Sequence, residues 1–110
     1  MNTLLDIIAQ DNTFELSEYR DKIVWVGKCI QCNRKLYITQ EGNAISEATI
    51  EHIIPRCHGG SNEINNLAIA CKGCNNYKGR TVDVQNRGHP KLEKTIASLQ
   101  EKKQKRYRKI

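Results

Sequence analysis

IEHIIPRCHGG, residues 50–60, sets an acid directly against a histidine and follows the pair with two apolar residues, a proline and two glycines. Its first half reads as a short buried strand ended by Pro55. Neighbouring side chains of a regular strand point to opposite faces, so Glu51 and His52 cannot both reach solvent across the pleat. One is therefore buried, or a site uses both and both leave the regular pleat. RCHGGSNEIN then reads as a loop whose glycines adopt backbone angles that other residues avoid. After it, NLAIAC is a second short apolar run. The two runs are expected to pair as an antiparallel hairpin around the long loop.

A cysteine pair stands on each side of that hairpin: Cys29 and Cys32 in CIQC, Cys71 and Cys74 in CKGC. Two such pairs on tight turns aim four thiolates at one centre, a donor set suited to tetrahedral Zn²⁺. Four protein thiolates leave no open position for water or substrate, so this zinc is structural. A redox role is the weaker alternative, because neither pair lies in a βαβ pattern. Cys57 and His58 compete as ligands, although a small buried residue accounts for Cys57 equally well. The odd total of five cysteines fits four thiolates on a metal with one left over.

The rest of the chain supplies supports for this centre. Leu4, Ile7 and Ile8 recur at helical spacing, with Leu5 widening the stripe, and predict a short helix over residues 3–10. KIVWVGKCIQCNRKLYIT reads as strand, knuckle, strand, and QEGNAISEA as a turn-rich connection. KGCNNYKGR opens a short helix closed by Gly79. Past the linker TVDVQNRG, Pro90 takes the first position of a helix lined by Leu92, Ile96 and Leu99, with His89 at its start. The whole is expected to be one α+β domain of 110 residues. Residues 1–26 form its lead-in helix and connection, 27–80 its core, and 81–110 a linker and basic C-terminal helix. With 38% hydrophobic residues, one Trp and one Phe, burial alone gives a thin margin, and a metal staple helps.

EHIIP, GGSNEINNL, CKGCNNYKG and the upstream CIQC together resemble the HNH endonuclease family, the zinc-bearing branch of the ββα-metal (His-Me finger) nucleases. The resemblance covers roughly residues 29–80. It implies a ββα-metal core with a four-cysteine structural zinc site, flanked by N- and C-terminal helices. It also implies that His52 is the general base that takes a proton from the attacking water. Glu51 corresponds to the acid that binds a catalytic Mg²⁺ or Mn²⁺, where the family more often has aspartate. Asn66 corresponds to the middle asparagine, which orders the loop and helps orient the histidine, and Asn75 to the second metal ligand, where many relatives have histidine. Asn65 and Asn76 are adjacent alternatives that the family spacing passes over. Lys78 and His58 look like phosphate contacts, with Arg80 beside them.

Phosphodiester hydrolysis needs these residue types on its own terms. Phosphate charge repels a nucleophile, so a base must make hydroxide and a cation must neutralise the leaving oxygen. A neutral imidazole supplies the base near neutral pH, and a carboxylate with an amide oxygen suits Mg²⁺ or Mn²⁺.

The net charge is +6, and from Glu101 to Ile110 six basic residues face one acid, a local charge of +5. This patch suggests a polyanion partner, with Lys102, Lys103, Lys105, Arg106 and Arg108 gripping the nucleic-acid backbone and Tyr107 stacking or packing. A frayed, solvated helix end explains the same tail. If it grips, deleting residues 101–110 weakens DNA binding and leaves zinc bound. The opening MNTLLDIIAQDN has no basic start, long apolar run or cleavage site, and no run is long enough for a membrane span. The expectation is a cytoplasmic, bacterial or phage-encoded nuclease acting on DNA, in a phage or mobile-element setting, with a separate protein supplying specificity. A zinc-stapled binding module that cuts poorly or not at all, and an RNA-directed nuclease, are the alternatives.

Overall fold

A computed structural model describes residues 2–108, so Lys109, counted in the tail charge, lies outside the described residues. Helix α1 spans Thr3–Ala9 and turns Ile7 and Ile8 into the core, as its apolar spacing predicts. Asn2 caps it, its Oδ1 accepting from the Leu5 N–H at 3.1 Å, and the same side chain donates to the Gly42 carbonyl. The helix start is thereby pinned to the turn at Gly42.

Four strands follow in a meander: β1 Glu15–Tyr19, β2 Lys22–Lys28, β3 Lys35–Thr39 and β4 Ala44–Ile45, antiparallel in the order β1-β2-β3-β4. The β2 and β3 strands flank the CIQC knuckle as the sequence predicts. The β1–β2 hairpin was not expected, because its turn is made by Arg20 and Asp21, both at positive φ, where glycine or asparagine is the usual signal. Phe14, fully buried, sits against Gly27, where a Cβ would run into its ring.

The second sheet is the predicted hairpin. Strand β5, Ala48–His52, pairs antiparallel with β6, Leu67–Cys71, placing Glu51 opposite Ala68 and His52 opposite Leu67. Helix α2, Lys72–Thr81, follows β6 directly, which completes the ββα order. Gly79 does not close this helix. It runs to Thr81, with Val82 as its C-cap.

Helix α3, Pro90–Lys105, begins as expected, with Pro90 in the first turn and His89 Nδ1 accepting from the Lys91 N–H at 3.1 Å. Leu92, Ile96 and Leu99 are buried. Its end departs from expectation, because the basic tail folds back instead of extending into solvent. Arg106 donates to the carbonyls of Lys28 and Cys29 at 2.9 and 3.2 Å and to Asn33 Oδ1 at 2.7 Å. Lys102 reaches the Gln31 carbonyl and Lys103 that of Leu67, while Arg108 donates to the carbonyls of Asp11 and Phe14. Lys105 stays exposed and pairs with Glu101. The carbonyls of the knuckle, of Leu67 and of the turn after α1 offer charge-assisted hydrogen bonds to these cations, each stronger than a neutral one, and that is why the tail docks.

Removing residues 101–110 should therefore disturb the knuckle as well. Arg106→Ala should cost about 2 kcal/mol, the loss of charge-assisted bonds to backbone oxygens, read as a lowered denaturation midpoint. An unchanged midpoint would refute the docking.

Candidate active site and metal centre

The Sγ atoms of Cys29, Cys32, Cys71 and Cys74 all lie within 4.8 Å of one another. Sulfurs about 3.8 Å apart are what a tetrahedral centre with bonds of about 2.3 Å requires, and Cys32 Sγ lies 3.8 Å from Cys71 Sγ. Backbone amides turn toward the sulfurs as well. Gln31 and Cys71 donate N–H to Cys29 Sγ at 3.4 and 3.2 Å, and Cys74 donates to Cys71 Sγ at 3.4 Å. Such donors stabilise thiolate charge. The Arg34 backbone N–H draws the Cys32 thiol down to about 7, whereas burial pushes Cys29 and Cys74 up. Four cysteines in this arrangement are positioned to bind a metal ion. Cys57 takes no part in the cluster and is exposed rather than buried.

The question raised by Glu51 and His52 resolves within the pleat. Both sit in the regular ladder of β5 and their side chains go opposite ways, so the expectation that both leave the pleat is corrected. Glu51, 1% exposed, faces α2: its Oε1 lies 3.2 Å from Lys78 Nζ and accepts from Gln31 Nε2 at 3.3 Å. Burial pushes its carboxyl up to about 7 although Lys78 pulls it down. His52 is half-buried on the other side, and its Nε2 lies 2.8 Å from Asn62 Oδ1.

The structure places Asn66 between the two limbs of the loop. Buried at the hairpin mouth, its Oδ1 accepts from the Ile54 N–H at 2.9 Å, and its Nδ2 donates to the carbonyls of Ile54 and Ser61 at 3.1 and 2.9 Å. One amide thus ties the outgoing and returning limbs of the loop. Gly60 allows the close approach, since a Cβ there would run into the Ile54 carbonyl.

Asn75 lies along β5, its Nδ2 donating to Thr49 Oγ1 at 3.1 Å and to the Ile50 carbonyl at 3.0 Å. No hydrogen bond joins it to His52 among the described residues. Its Oδ1 and Glu51 Oε2 accept no hydrogen bond among the described residues, leaving one amide and one carboxylate oxygen as potential cation ligands. Lys78 corrects the expectation of a phosphate contact. It is 1% exposed, and its Nζ donates to the His52 carbonyl at 3.0 Å and to Asp83 Oδ1 at 2.8 Å besides meeting Glu51. His58 likewise turns inward, donating Nε2–H to the Asp83 carbonyl at 2.9 Å, whereas Arg80 stays exposed.

Sequence reading missed Asn62, Asp83 and Gln31. Asn62 and Asp83 lie in loop and linker stretches without periodicity, and Gln31 was hidden between two cysteines. Only the need of a buried Glu51 and Lys78 for partners could have pointed to Asp83.

A family model described as HNH endonuclease matches residues 29–91, more than half of the chain and all of the residues just described around the hairpin. No curated protein and no solved structure matches the chain.

The Glu51–Lys78–Asp83 cluster yields a stability test. Lys78→Met would leave a buried carboxylate uncompensated, and breaking such a pair from one side costs about 3–5 kcal/mol. Chemical denaturation should show a loss of that size; a change under about 1 kcal/mol would mean the carboxylate finds other compensation.

Proposed function

The chain belongs to the HNH endonuclease family, and on that premise we propose that it hydrolyses phosphodiester bonds in DNA, with His52 as general base. Glu51 and Asn75 are the protein ligands of a catalytic Mg²⁺ or Mn²⁺, and Cys29, Cys32, Cys71 and Cys74 hold a structural Zn²⁺. The observation that carries the reading is the setting of His52. It ends β5 at the mouth of the hairpin, half-exposed, with Nε2 held at 2.8 Å from Asn62 and with Nδ1 making no hydrogen bond among the described residues. One ring nitrogen fixed and the other open is the condition for a base that takes a proton from water.

The free oxygens of Glu51 and Asn75 are hard donors, and waters and phosphate oxygens would complete the shell of Mg²⁺ or Mn²⁺. A bound divalent ion would neutralise charge on the phosphate and the leaving oxygen. The chain itself contributes orientation. Asn66 fixes the loop, Lys78 holds the His52 carbonyl against α2, and His52 Nδ1 takes the proton of the attacking water. Products ending in 5′-phosphate and 3′-hydroxyl follow from the resemblance.

Nucleic-acid contact falls to exposed cations such as Arg80, since Lys102, Lys103, Arg106 and Arg108 are engaged with backbone carbonyls. A cytoplasmic setting is part of this proposal, and no helix among the described residues is long and apolar enough to cross a membrane. A separate specificity-giving protein belongs to the same proposal.

The closed ion pair between Glu51 and Lys78 favours a second reading, a zinc-stapled nucleic-acid-binding module with little cleavage, because a metal must compete with the ammonium for the carboxylate. Supercoiled plasmid separates the two. Wild-type protein should nick it only when Mg²⁺ or Mn²⁺ is added, and His52→Ala should be at least about a hundredfold slower. Folded, zinc-loaded wild type that binds plasmid but leaves it supercoiled would establish the binding module. Preferential cleavage of single-stranded RNA would move the substrate class instead.

A further inference from the structure

We propose that Asn62 is the positioning residue for His52, holding the ring as the Nε2–H tautomer so that the Nδ1 lone pair faces the water. The inference rests on the reading of His52 as the base and assigns a role to a residue on the loop rather than on the hairpin or helix.

The geometry is a relay of amides. Asn66 is buried and uses all of its side-chain groups on the two limbs of the loop, so it does not touch the imidazole. What it fixes is the Ser61 carbonyl, bonded to its Nδ2 at 2.9 Å. Ser61 is joined covalently to Asn62, and holding that peptide fixes where the next side chain begins. On the other limb, Gly60 donates its N–H to the Pro55 carbonyl at 3.0 Å and His58 donates its backbone N–H to the same oxygen at 2.9 Å. The imidazolyl side chain of His58 is anchored on the Asp83 carbonyl. The loop thus reaches Asn62 already braced at both ends, and Asn62 Oδ1 lies 2.8 Å from His52 Nε2.

A carbonyl oxygen accepts and cannot donate, so the proton of this bond belongs to Nε2. In neutral imidazole the other nitrogen is then the acceptor, and Nδ1 is the base. Asn62 Nδ2 makes no hydrogen bond among the described residues. The oxygen is therefore the part of the side chain that matters, which separates Asn62 from a residue retained for loop packing. An aspartate keeps that oxygen; alanine and leucine do not.

The test uses zinc-loaded full-length protein at a pH above the histidine range, where the ring is neutral. Nitrogen-15 shifts of the imidazole in wild type should show Nε2 protonated and Nδ1 bearing the lone pair, and in Asn62→Ala the Nε2 shift should lose its hydrogen-bonded character. In single-turnover cleavage of plasmid with Mn²⁺, Asn62→Ala and Asn62→Leu should lower the maximal rate about tenfold or more without changing the DNA concentration at half saturation. Asn62→Asp should restore most of the rate. An Nδ1–H tautomer in wild type, full activity in Asn62→Ala, or Asn62→Asp as slow as alanine would each overturn the proposal. If wild type itself does not cleave, the nuclease reading fails, and the nitrogen shifts still decide whether Asn62 sets the tautomer.

Discussion

The backbone N–H of Cys71 donates to Cys29 Sγ at 3.2 Å while Cys71 Sγ accepts from the Cys74 N–H at 3.4 Å, and the two halves of the chain meet at that junction. Cys71 ends β6 and caps α2, so strand and helix share it with the sulfur cluster. A metal on the four sulfurs therefore sets the angle at which α2 leaves the hairpin and sets the knuckle between β2 and β3 against it. The Ile30 N–H, which donates to the Ile69 carbonyl at 3.0 Å, continues the same contact in backbone. The docked end of α3 closes over the knuckle from outside through Arg106 and Lys102. For a domain with a modest core, this concentration of constraints at one node replaces the apolar area it lacks.

What the node positions is a layer of charge between β5 and α2. Glu51, Lys78 and Asp83 meet there almost out of water, and Lys78 also grips the backbone of His52. A buried arrangement of this kind is costly to assemble and more costly to break from one side. Its value is placement, since the ammonium joins the strand bearing the histidine to the helix bearing Asn75. It also holds the Glu51 carboxylate.

The sequence disclosed most of this where chemistry forces residue types into fixed spacings. Two Cys-x-x-Cys pairs, an acid next to a histidine and a proline at a helix start leave few alternatives, and the hairpin, the sulfur cluster and the start of α3 follow them. The Arg20–Asp21 turn escaped because its positive φ values are carried by residues that give no such signal. Lys78 and the C-terminal cations escaped for a related reason. A lysine or arginine in a sequence reads as solvated charge, and only the fold shows which carbonyls and carboxylates lie within its reach. Asn62 lies in an aperiodic loop, and its place depends on Asn66 and Gly60.

The central claim is that the four-cysteine node fixes the hairpin and helix that carry the candidate site. The most direct measurement is hydrogen exchange of the β5 and α2 backbone amides while a zinc chelator is titrated in and metal release is followed in the same samples. The account predicts that protection at Glu51, His52 and Lys78 is lost in step with the metal. Full loss of metal with those amides still protected would contradict it.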